Sequence, residues 1–495
     1  MRPMPLRVLH VDLNTLNMRT RMPFKYGIAT LTALPHLFVR LLLDVDGVRV
    51  HGLASDGLPP KWFTKDPDVA VKDEIDDMIA VVRHACDVAL GVEESDTVFD
   101  LWQQVHTMQA AWAMARERNG EGKREFPPLL WGFGVSLVER AAIDAFCRAK
   151  RTTFASALRS GALGMRLEDL HAELQGIPPA SLLPAEPLRR VIARHTVGLA
   201  DPLIDSDIPP SERLDDSLPQ SLESCIEAYG LTHFKIKLSG DAERDIDRLR
   251  RIAAIVSSRR RGFAFTLDGN ECHREAEPFR TLWRRLSDEP ALRDFLRGLL
   301  FVEQPFHRQV ALSDDLGAAL LAWRDRPPII IDESDGEIGS AARALGLGYV
   351  GTSFKNCKGV FKGVANACML QQRRVQAGDA SAFILSGEDL ANVGPVAMPQ
   401  DLCVAANLGI THVERNGHHY FRGLGMFTHD IQAKVLAAHP NLYRRHTDGS
   451  GFATLNIVGG VLDAGSVVDA PFGVGIELDT TRFTPIDQWR HESLN

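Results

Sequence analysis

The sequence lacks cysteine pairs with metal-binding spacing, long apolar runs and blocks of like charge. Its seven cysteines are scattered without a Cys-x-x-Cys pair, which predicts reduced thiols in a cytoplasmic protein. No run approaches the roughly 20 apolar residues of a membrane span, and the opening MRPMPLRVLHVDLNT lacks the apolar stretch of a signal peptide. The formal net charge is −8, with both signs interleaved, so we expect no nucleic-acid or membrane partner.

The overall composition is typical of a globular protein. The chain has 495 residues, of which 45% are hydrophobic and 24% charged. A chain of this length buries a large core and favours two or three domains.

The first third of the sequence predicts an α+β domain at 1–160, because strands are followed by helices. Asp46-Gly47 marks a hairpin turn within the run LFVRLLLDVDGVRVHG. The predicted strands are 6–15 and 37–50, and the predicted helices are 65–93, 96–118 and a stretch from Leu129 to about Arg159. The Pro-containing segment 161–190 is expected to be a linker.

Residues 191–420 alternate regularly between apolar, strand-like runs and helical stretches. The runs are nearly all apolar, as expected when helices cover a parallel sheet. The predicted strands are 193–200, 233–238, 263–268, 298–303, 328–332, 348–355, 382–387 and 409–414. This pattern predicts an α/β fold with a (β/α)₈ TIM-type barrel, with the 201–220 insertion after the first strand. In the C-terminal segment 421–495, NIVGGVLD and GVGIELD are expected to return to the first domain.

Three carboxylates end consecutive predicted barrel strands: Asp268 in TLDGNE, Glu303 in FVEQP and Asp332 in IIIDES. Active sites of such barrels lie at the carboxyl ends of the strands, and neighbouring strands lie about 5 Å apart. Unpaired carboxylates this close would repel one another. The pattern therefore predicts a divalent cation, and all-oxygen ligands favour Mg²⁺ or Mn²⁺. We expect no set of Cys and His ligands of the kind that binds structural zinc.

Lysines accompany these carboxylates. Lys235 and Lys237, in FKIK, are two apart on a strand and point to the same face. Like charges about 7 Å apart cost on the order of 2 kcal/mol at an effective dielectric constant of ~20, which lowers an ammonium pKa by roughly 1.5 units. The pair therefore predicts a lysine with a lowered pKa, suited to act as a base near neutral pH. Lys355 ends the sixth predicted strand and is expected to face Lys237 across the barrel mouth.

The order KxK, DxN, EQP, DES and a strand-terminal lysine resembles the enolase superfamily, within it the muconate lactonising subgroup of the mandelate racemase/muconate lactonising enzyme family. LNTLNMRTRMPFKYG resembles the opening of that family's capping domain, VERAAIDAFCRAK its domain-joining helix and PFGVGIELD its closing segment. The resemblance implies that the first domain is a capping domain completed by the C-terminal segment. It also implies Mg²⁺ held by Asp268, Glu303 and Asp332, with Lys237 and Lys355 as the acid/base pair and Lys235 near the substrate carboxylate. Superfamily sites use such a base with Mg²⁺ stabilising an enediolate.

The chain departs from the family pattern in several places. NCKGVFKG retains Lys358 but breaks a double glycine, and THVERNGHHYFRG lacks the Asp-x-Asp motif of dipeptide epimerases. A His/Asp base pair of the mandelate racemase type is not evident. These departures leave specificity open.

Further residues are weaker candidates. Possible supports of the site are Asn270, Glu333, Glu388 and Lys358; Glu388 is equally compatible with a helix cap. His418-His419 is expected to be a surface pair. The resemblance also implies that loops 20–27 and 54–63 of the first domain cover the barrel mouth, where Lys25, Tyr26 and Trp62 would contact the substrate.

The expected activity is Mg²⁺-dependent removal of the proton α to a substrate carboxylate. The outcome would be racemisation or epimerisation, cycloisomerisation, or elimination, so the enzyme class is isomerase or lyase. The alternatives are a sugar-acid dehydratase of a neighbouring branch and a catalytically silent relative that acts as a scaffold. The expected partners are a small carboxylate substrate and further copies of the chain in a homo-oligomer.

Overall fold

The computed structural model describes residues 5–118, 124–260, 262–447 and 451–494. Among these residues, no helix combines the length and hydrophobicity that crossing a bilayer requires. Each of the seven cysteines is free.

The first domain packs helices against an antiparallel sheet. Three long strands, β1 (Leu6–Tyr26), β2 (Ala29–Val45) and β3 (Val48–Gly57), pair in the order of the chain. The hairpin between β2 and β3 turns at Asp46 and Gly47, both with positive φ, as predicted. The helices are α1 (Val71–Gly91), α2 (Val98–Arg118), α3 (Pro128–Ala149) and α4 (Phe154–Arg159).

The second domain is a closed barrel of eight parallel strands. The strands are β4 (Arg190–Val197), β5 (His233–Lys237), β6 (Ala264–Asp268), β7 (Leu299–Glu303), β8 (Ile329–Ile331), β9 (Gly351–Phe354), β10 (Ile384–Gly387) and β11 (His412–Glu414). Pairing of β11 with β4 closes the barrel. The predicted fold class, a (β/α)₈ barrel with an N-terminal α+β domain, is confirmed. The first strand begins at Arg190, three residues before the prediction of 193–200.

Helices cover the outside of the barrel because each follows a strand that needs both faces buried. They are α5 (Leu222–Tyr229), α6 (Ala242–Arg259), α7 (Ala276–Asp288), α8 (Arg308–Ala311), α9 (Asp314–Ala322), α10 (Ser340–Gly346), α11 (Val360–Ala377), α12 (Ala397–Asn407), α13 (Gly417–Tyr420) and α14 (His429–Ala438). The segment 161–190 contains short 3₁₀ turns, and 201–220 contains two more.

The C-terminal segment contacts both domains. It forms the hairpin of β12 (Tyr443–Arg445) with β13 (Ala453–Leu455), then β14 (Val461–Asp463), α15 (Gly465–Val468) and β15 (Thr484–Pro485). β14, within NIVGGVLD, pairs antiparallel with β4 of the barrel, so its expected return to the first domain is wrong. GVGIELD forms no strand. The return to the first domain is made instead by β15, which pairs with β1.

Candidate active site

A small cavity of about 50 Å³ lies between the carboxyl ends of the barrel strands and two loops of the first domain. The barrel contributes charged side chains, and the loops contribute aromatic ones. The lining from the barrel includes Lys235, Lys237, Asp268, Asn270, Glu271, Arg308, Asp332, Glu333, Lys355, Asp389, Glu414 and Asn416, and that from the loops includes Phe24, Tyr26, Lys61, Trp62 and Lys65.

Lys235 lies at the centre of a buried carboxylate cluster and is 1% exposed. Its Nζ is 2.7 Å from Glu303 Oε2, 2.7 Å from Glu388 Oε2 and 3.1 Å from both Asp268 Oδ2 and Glu414 Oε2. Four carboxylates thus share one ammonium group. The cluster is held from the first strand by Arg194, which forms an ion pair with Glu388.

Lys237 and Lys355 each pair with one of the predicted metal ligands. Lys237 Nζ donates to Asp268 Oδ2 at 2.7 Å, and Lys355 Nζ donates to Asp332 Oδ2 at 2.6 Å. Lys355 Nζ also lies 4.5 Å from the centre of the Trp62 ring, within the range of a cation–π contact. Because β5 and β9 are the second and sixth of the barrel's strands, these two lysines approach the cavity from opposite sides.

The expected lowering of the lysine pKa values is wrong for this arrangement. Burial lowers the pKa of Lys235, but the four carboxylates raise it by more than burial lowers it. The pKa of Lys235 therefore lies well above its ordinary value. Burial likewise lowers the pKa of Lys237 and of Lys355, but Asp268 and Asp332 respectively outweigh burial, so both pKa values are raised. The repulsion between Lys235 and Lys237 is present but smaller than these attractions.

The pKa values of the buried carboxylates are shifted in two directions. Burial raises the pKa of Asp268, but Lys237 and Lys235 lower it to about 2. Burial also raises the pKa of Asp332, and Lys355 and Lys358 hold it well below the ordinary value. The pKa of Glu303, by contrast, is raised well above its ordinary value by burial and by Glu388, because its single lysine neighbour is shared.

The four predicted supports lie in or beside this network. Asn270 accepts from Lys237 Nζ through Oδ1 at 3.3 Å, and Lys358 Nζ lies 2.7 Å from Asp332 Oδ1. Glu333 lines the cavity, and burial together with Asp332 raises its pKa to about 7. Glu388 accepts from Lys235 rather than capping a helix.

Side chains alternate in direction along the end of β1, so only some of the predicted cap residues face the cavity. Tyr26 and Trp62 line the cavity, whereas Lys25 is exposed and its neighbours Phe24 and Tyr26 point inward instead. Lys25 is therefore not placed to contact a substrate in the cavity. Phe24 also stacks on Tyr420 of α13, with ring centres 4.0 Å apart.

Glu271 attaches the cap to the barrel. It accepts from Arg308 Nε and Nη2, both at 2.8 Å, and lies 3.3 Å from Lys65 Nζ. Arg308 in turn donates to the backbone oxygens of Trp62 and Phe63 at 3.0 and 2.8 Å. The loop that carries Trp62 is thus held over the cavity by one buried carboxylate and its cations.

We expect Glu271→Gln to lower the free energy of unfolding near pH 7 by about 3 kcal/mol. Burial raises the pKa of Glu271, but Arg308 and Lys65 lower it from 4.5 to about 2, and one pKa unit corresponds to about 1.4 kcal/mol. A lowered carboxyl pKa adds stability above pH 4.5 that is lost as the pH falls towards 2. Urea unfolding at several pH values should therefore show that the free energies of unfolding of the two proteins become more similar below pH 4.5.

The control for this prediction is Glu277→Gln, because the Glu277 side chain is 66% exposed. This variant should match the wild-type protein at every pH. A Glu271→Gln protein as stable as wild type at pH 7 would contradict the assigned role of Glu271.

Among the site residues that were not identified from the sequence are Arg194, Glu271, Arg308 and Glu414. Glu414 ends the last barrel strand, which is the same signal that identified Asp268 and Glu303. Arg194 follows three apolar residues of β4, and a buried charge there indicates an internal partner.

The expectation that His418 and His419 form a surface pair is wrong, since they are 7% and 3% exposed. Nor is the chain without a Cys and His set: His195, Cys225 and His419 each place one ligand atom within 4.8 Å of the other two. These residues are distant in sequence, so no spacing motif reveals them.

No protein-family model and no curated protein sequence matches the chain. Solved structures do. A dipeptide epimerase from Enterococcus faecalis V583, complexed with Mg and the dipeptide L-Leu-L-Tyr, matches with a TM-score of 0.56 at 13% identity, over 93% of this chain and 100% of that one. An enolase from Bradyrhizobium, complexed with magnesium and mandelic acid, matches with a TM-score of 0.55 at 14% identity, over 93% and 95%.

A mandelate racemase/muconate lactonizing protein from Herpetosiphon aurantiacus matches with a TM-score of 0.54 at 16% identity, over 92% of this chain and 98% of that chain. The similarity spans both domains in all three cases. The chain therefore has the fold of mandelate racemase/muconate lactonizing-like members of the enolase superfamily.

Proposed function

We propose that this protein is an enolase-superfamily enzyme that removes the proton α to a substrate carboxylate. The observation that carries the proposal is the position of Lys237 and Lys355, which enter one capped cavity from opposite sides and flank a set of buried carboxylates. A substrate carbon between them has a base on each face.

The residues present fit a hard divalent cation, Mg²⁺ or Mn²⁺. Asp268, Glu303 and Asp332 supply buried carboxylate oxygens at three neighbouring strand ends, the donor type that such ions prefer. The raised pKa of Glu303 reflects too little positive charge around it. Lysines form ion pairs with these carboxylates in the structure, and a cation held by Asp268, Glu303 and Asp332 would supply the positive charge that Glu303 lacks.

When bound, the cation would supply positive charge that stabilises an enediolate. Lys237 or Lys355 can take a proton only as the neutral amine, which requires weaker contacts with Asp268 or Asp332 than those in the structure. Either lysine takes the α-proton from the face it borders, and Lys235 adds positive charge beside the developing negative charge.

The remaining lysine determines the outcome. Return of a proton to the opposite face gives racemisation or epimerisation, and assistance to a leaving group on the β-carbon gives elimination. Cycloisomerisation passes through the same enediolate. The aromatic lining from Phe24, Tyr26 and Trp62 favours a substrate with an apolar group distant from its carboxylate, and closure of the cap over it excludes water.

The proposal is tested by ¹H NMR of the protein with Mg²⁺ in D₂O, against pools of N-acyl amino acids, dipeptides, sugar acids and lactones. We expect loss of the α-proton signal of one compound class, and no loss after EDTA treatment. A sugar acid converted with a single stereochemical outcome would favour the dehydratase alternative. Binding of Mg²⁺ without exchange in any pool would contradict the proposal.

A further inference from the structure

A second cluster of ligand-type side chains lies outside the barrel interior. His195 is on β4 between Arg194 and Thr196, whose side chains contact Glu388 and Glu414 within the barrel. Because side chains alternate along a strand, His195 points outward, towards the helical layer. There it meets Cys225 of α5 and His419 of α13.

The separation of Cys225 and His419 matches that of two ligands in a tetrahedral zinc site. Cys225 Sγ lies 3.6 Å from His419 Nδ1. Zinc bonds of about 2.3 Å to sulfur and about 2.0–2.1 Å to nitrogen, at a tetrahedral angle, separate the two donors by about 3.6 Å. His195, Cys225 and His419 are 1%, 0% and 3% exposed, so the cluster is closed to bulk water.

The surroundings of His419 also suit a metal ligand. Its Nε2 lies 3.8 Å from Asp201 Oδ2, on the side of the ring away from Cys225. Tyr420 Oη and the Gly198 backbone nitrogen each donate to that carboxylate oxygen at 2.7 Å. Metal-binding histidines typically donate a hydrogen bond from their second nitrogen to such a fixed carboxylate, which orients the ring; at 3.8 Å, the His419 ring would need to move closer to Asp201 to form that bond.

We propose that His195, Cys225 and His419 bind a structural zinc ion. One thiolate and two imidazoles form a ligand set that selects zinc over Mg²⁺. His418 Nε2 lies 3.4 Å from His195 Nδ1, but it does not belong to the set of ligand atoms that lie within 4.8 Å of one another.

The ion would join the two strands at which the barrel closes. His195 lies on the first strand, β4, and His419 follows the last strand, β11, which pairs with β4. α13 also carries Tyr420, which stacks on Phe24 of the cap, and Arg21 of β1 donates to the His419 backbone oxygen at 3.2 Å. Zinc would therefore stabilise the barrel seam together with its contact to the cap, independently of the proposed activity.

The test uses the full-length protein produced in medium containing Co²⁺ in place of Zn²⁺, purified with excess Mg²⁺ to occupy the carboxylate site. We expect about one cobalt ion per chain and a near-ultraviolet thiolate-to-cobalt absorption band. Cys225→Ser should lose this band, whereas Cys403→Ser, at a buried free cysteine on α12, should retain it. Folded wild-type protein without the band, or a band that persists in Cys225→Ser, would overturn the proposal.

A second measurement does not depend on the folding of a variant. X-ray absorption at the zinc edge of the wild-type protein, produced with zinc, should show sulfur at about 2.3 Å together with nitrogen ligands. Zinc surrounded by oxygen and nitrogen alone, or no retained zinc, would show that Cys225 and His419 form only a hydrogen-bonded pair.

Discussion

Replacing Lys237 or Lys355 by methionine should lower the rate of substrate turnover at least about 10³-fold, in the range that general acid–base groups contribute. Each lysine is the base on its own side of the cavity, and methionine keeps most of the side-chain volume while removing the amine. If the substrate has two α-epimers, each variant should still exchange the α-proton of the epimer that faces the remaining lysine. ¹H NMR in D₂O with each epimer measures both effects.

The matched control is Lys25→Met, which removes a lysine from the same chain at an exposed position beside the cavity. It should keep wild-type rates. Both active-site variants should still bind Mn²⁺ in an electron paramagnetic resonance titration, since the carboxylates are unchanged. Wild-type turnover in either active-site variant would refute its lysine as a base.

Lys235→Met should produce the largest loss of stability, about 3–5 kcal/mol at pH 7 without divalent cations. The change removes the one ammonium shared by Asp268, Glu303, Glu388 and Glu414 and leaves buried carboxylates without compensation. Urea unfolding measures the loss. Added Mg²⁺ should recover part of it, because a cation bound by Asp268 and Glu303 replaces some of the missing charge.

The pH dependence of this loss has a defined sign. In the wild-type protein, burial raises the pKa of Glu388, but Arg194 and Lys235 lower it from 4.5 to about 2. That lowering adds stability above pH 4.5, which is lost as the pH falls towards 2. The difference in free energy of unfolding between the variant and the wild-type protein should therefore become smaller below pH 4.5.

Lys434→Met, at an exposed position on α14, is the control for this series and should unfold as wild type does. A Lys235→Met protein with wild-type stability at pH 7 in EDTA would contradict the central role of Lys235 in the cluster.

The barrel could be predicted from the sequence because its signal is local. Each buried strand is an apolar run, and the carboxylate or lysine that ends it marks the catalytic edge. Asp268, Glu303, Asp332, Lys237 and Lys355 were therefore placed near one another without knowledge of the structure.

Features that depend on contacts between residues far apart in the sequence could not be predicted in this way. The pKa values of Lys235 and Lys237 were predicted in the wrong direction, because strand positions alone do not show that these lysines form ion pairs with the rim carboxylates or that Glu388 and Glu414 join them. Cys225 and His419 are 194 residues apart. The partner of β14 is a strand of the barrel, which the strand-like run NIVGGVLD does not reveal, and β15 is too short to show a strand pattern. In each case tertiary contacts, not local propensity, determine the result.

We propose that Lys237 and Lys355 together move an α-proton in one cavity. The most direct test compares the wild-type protein with the Lys237→Met/Lys355→Met double variant, each with Mg²⁺, in D₂O with the pooled carboxylic acids. We expect the wild-type protein to incorporate deuterium at the α-carbon of one compound class, and we expect the folded double variant to incorporate none. Incorporation at equal rates in both proteins would contradict it.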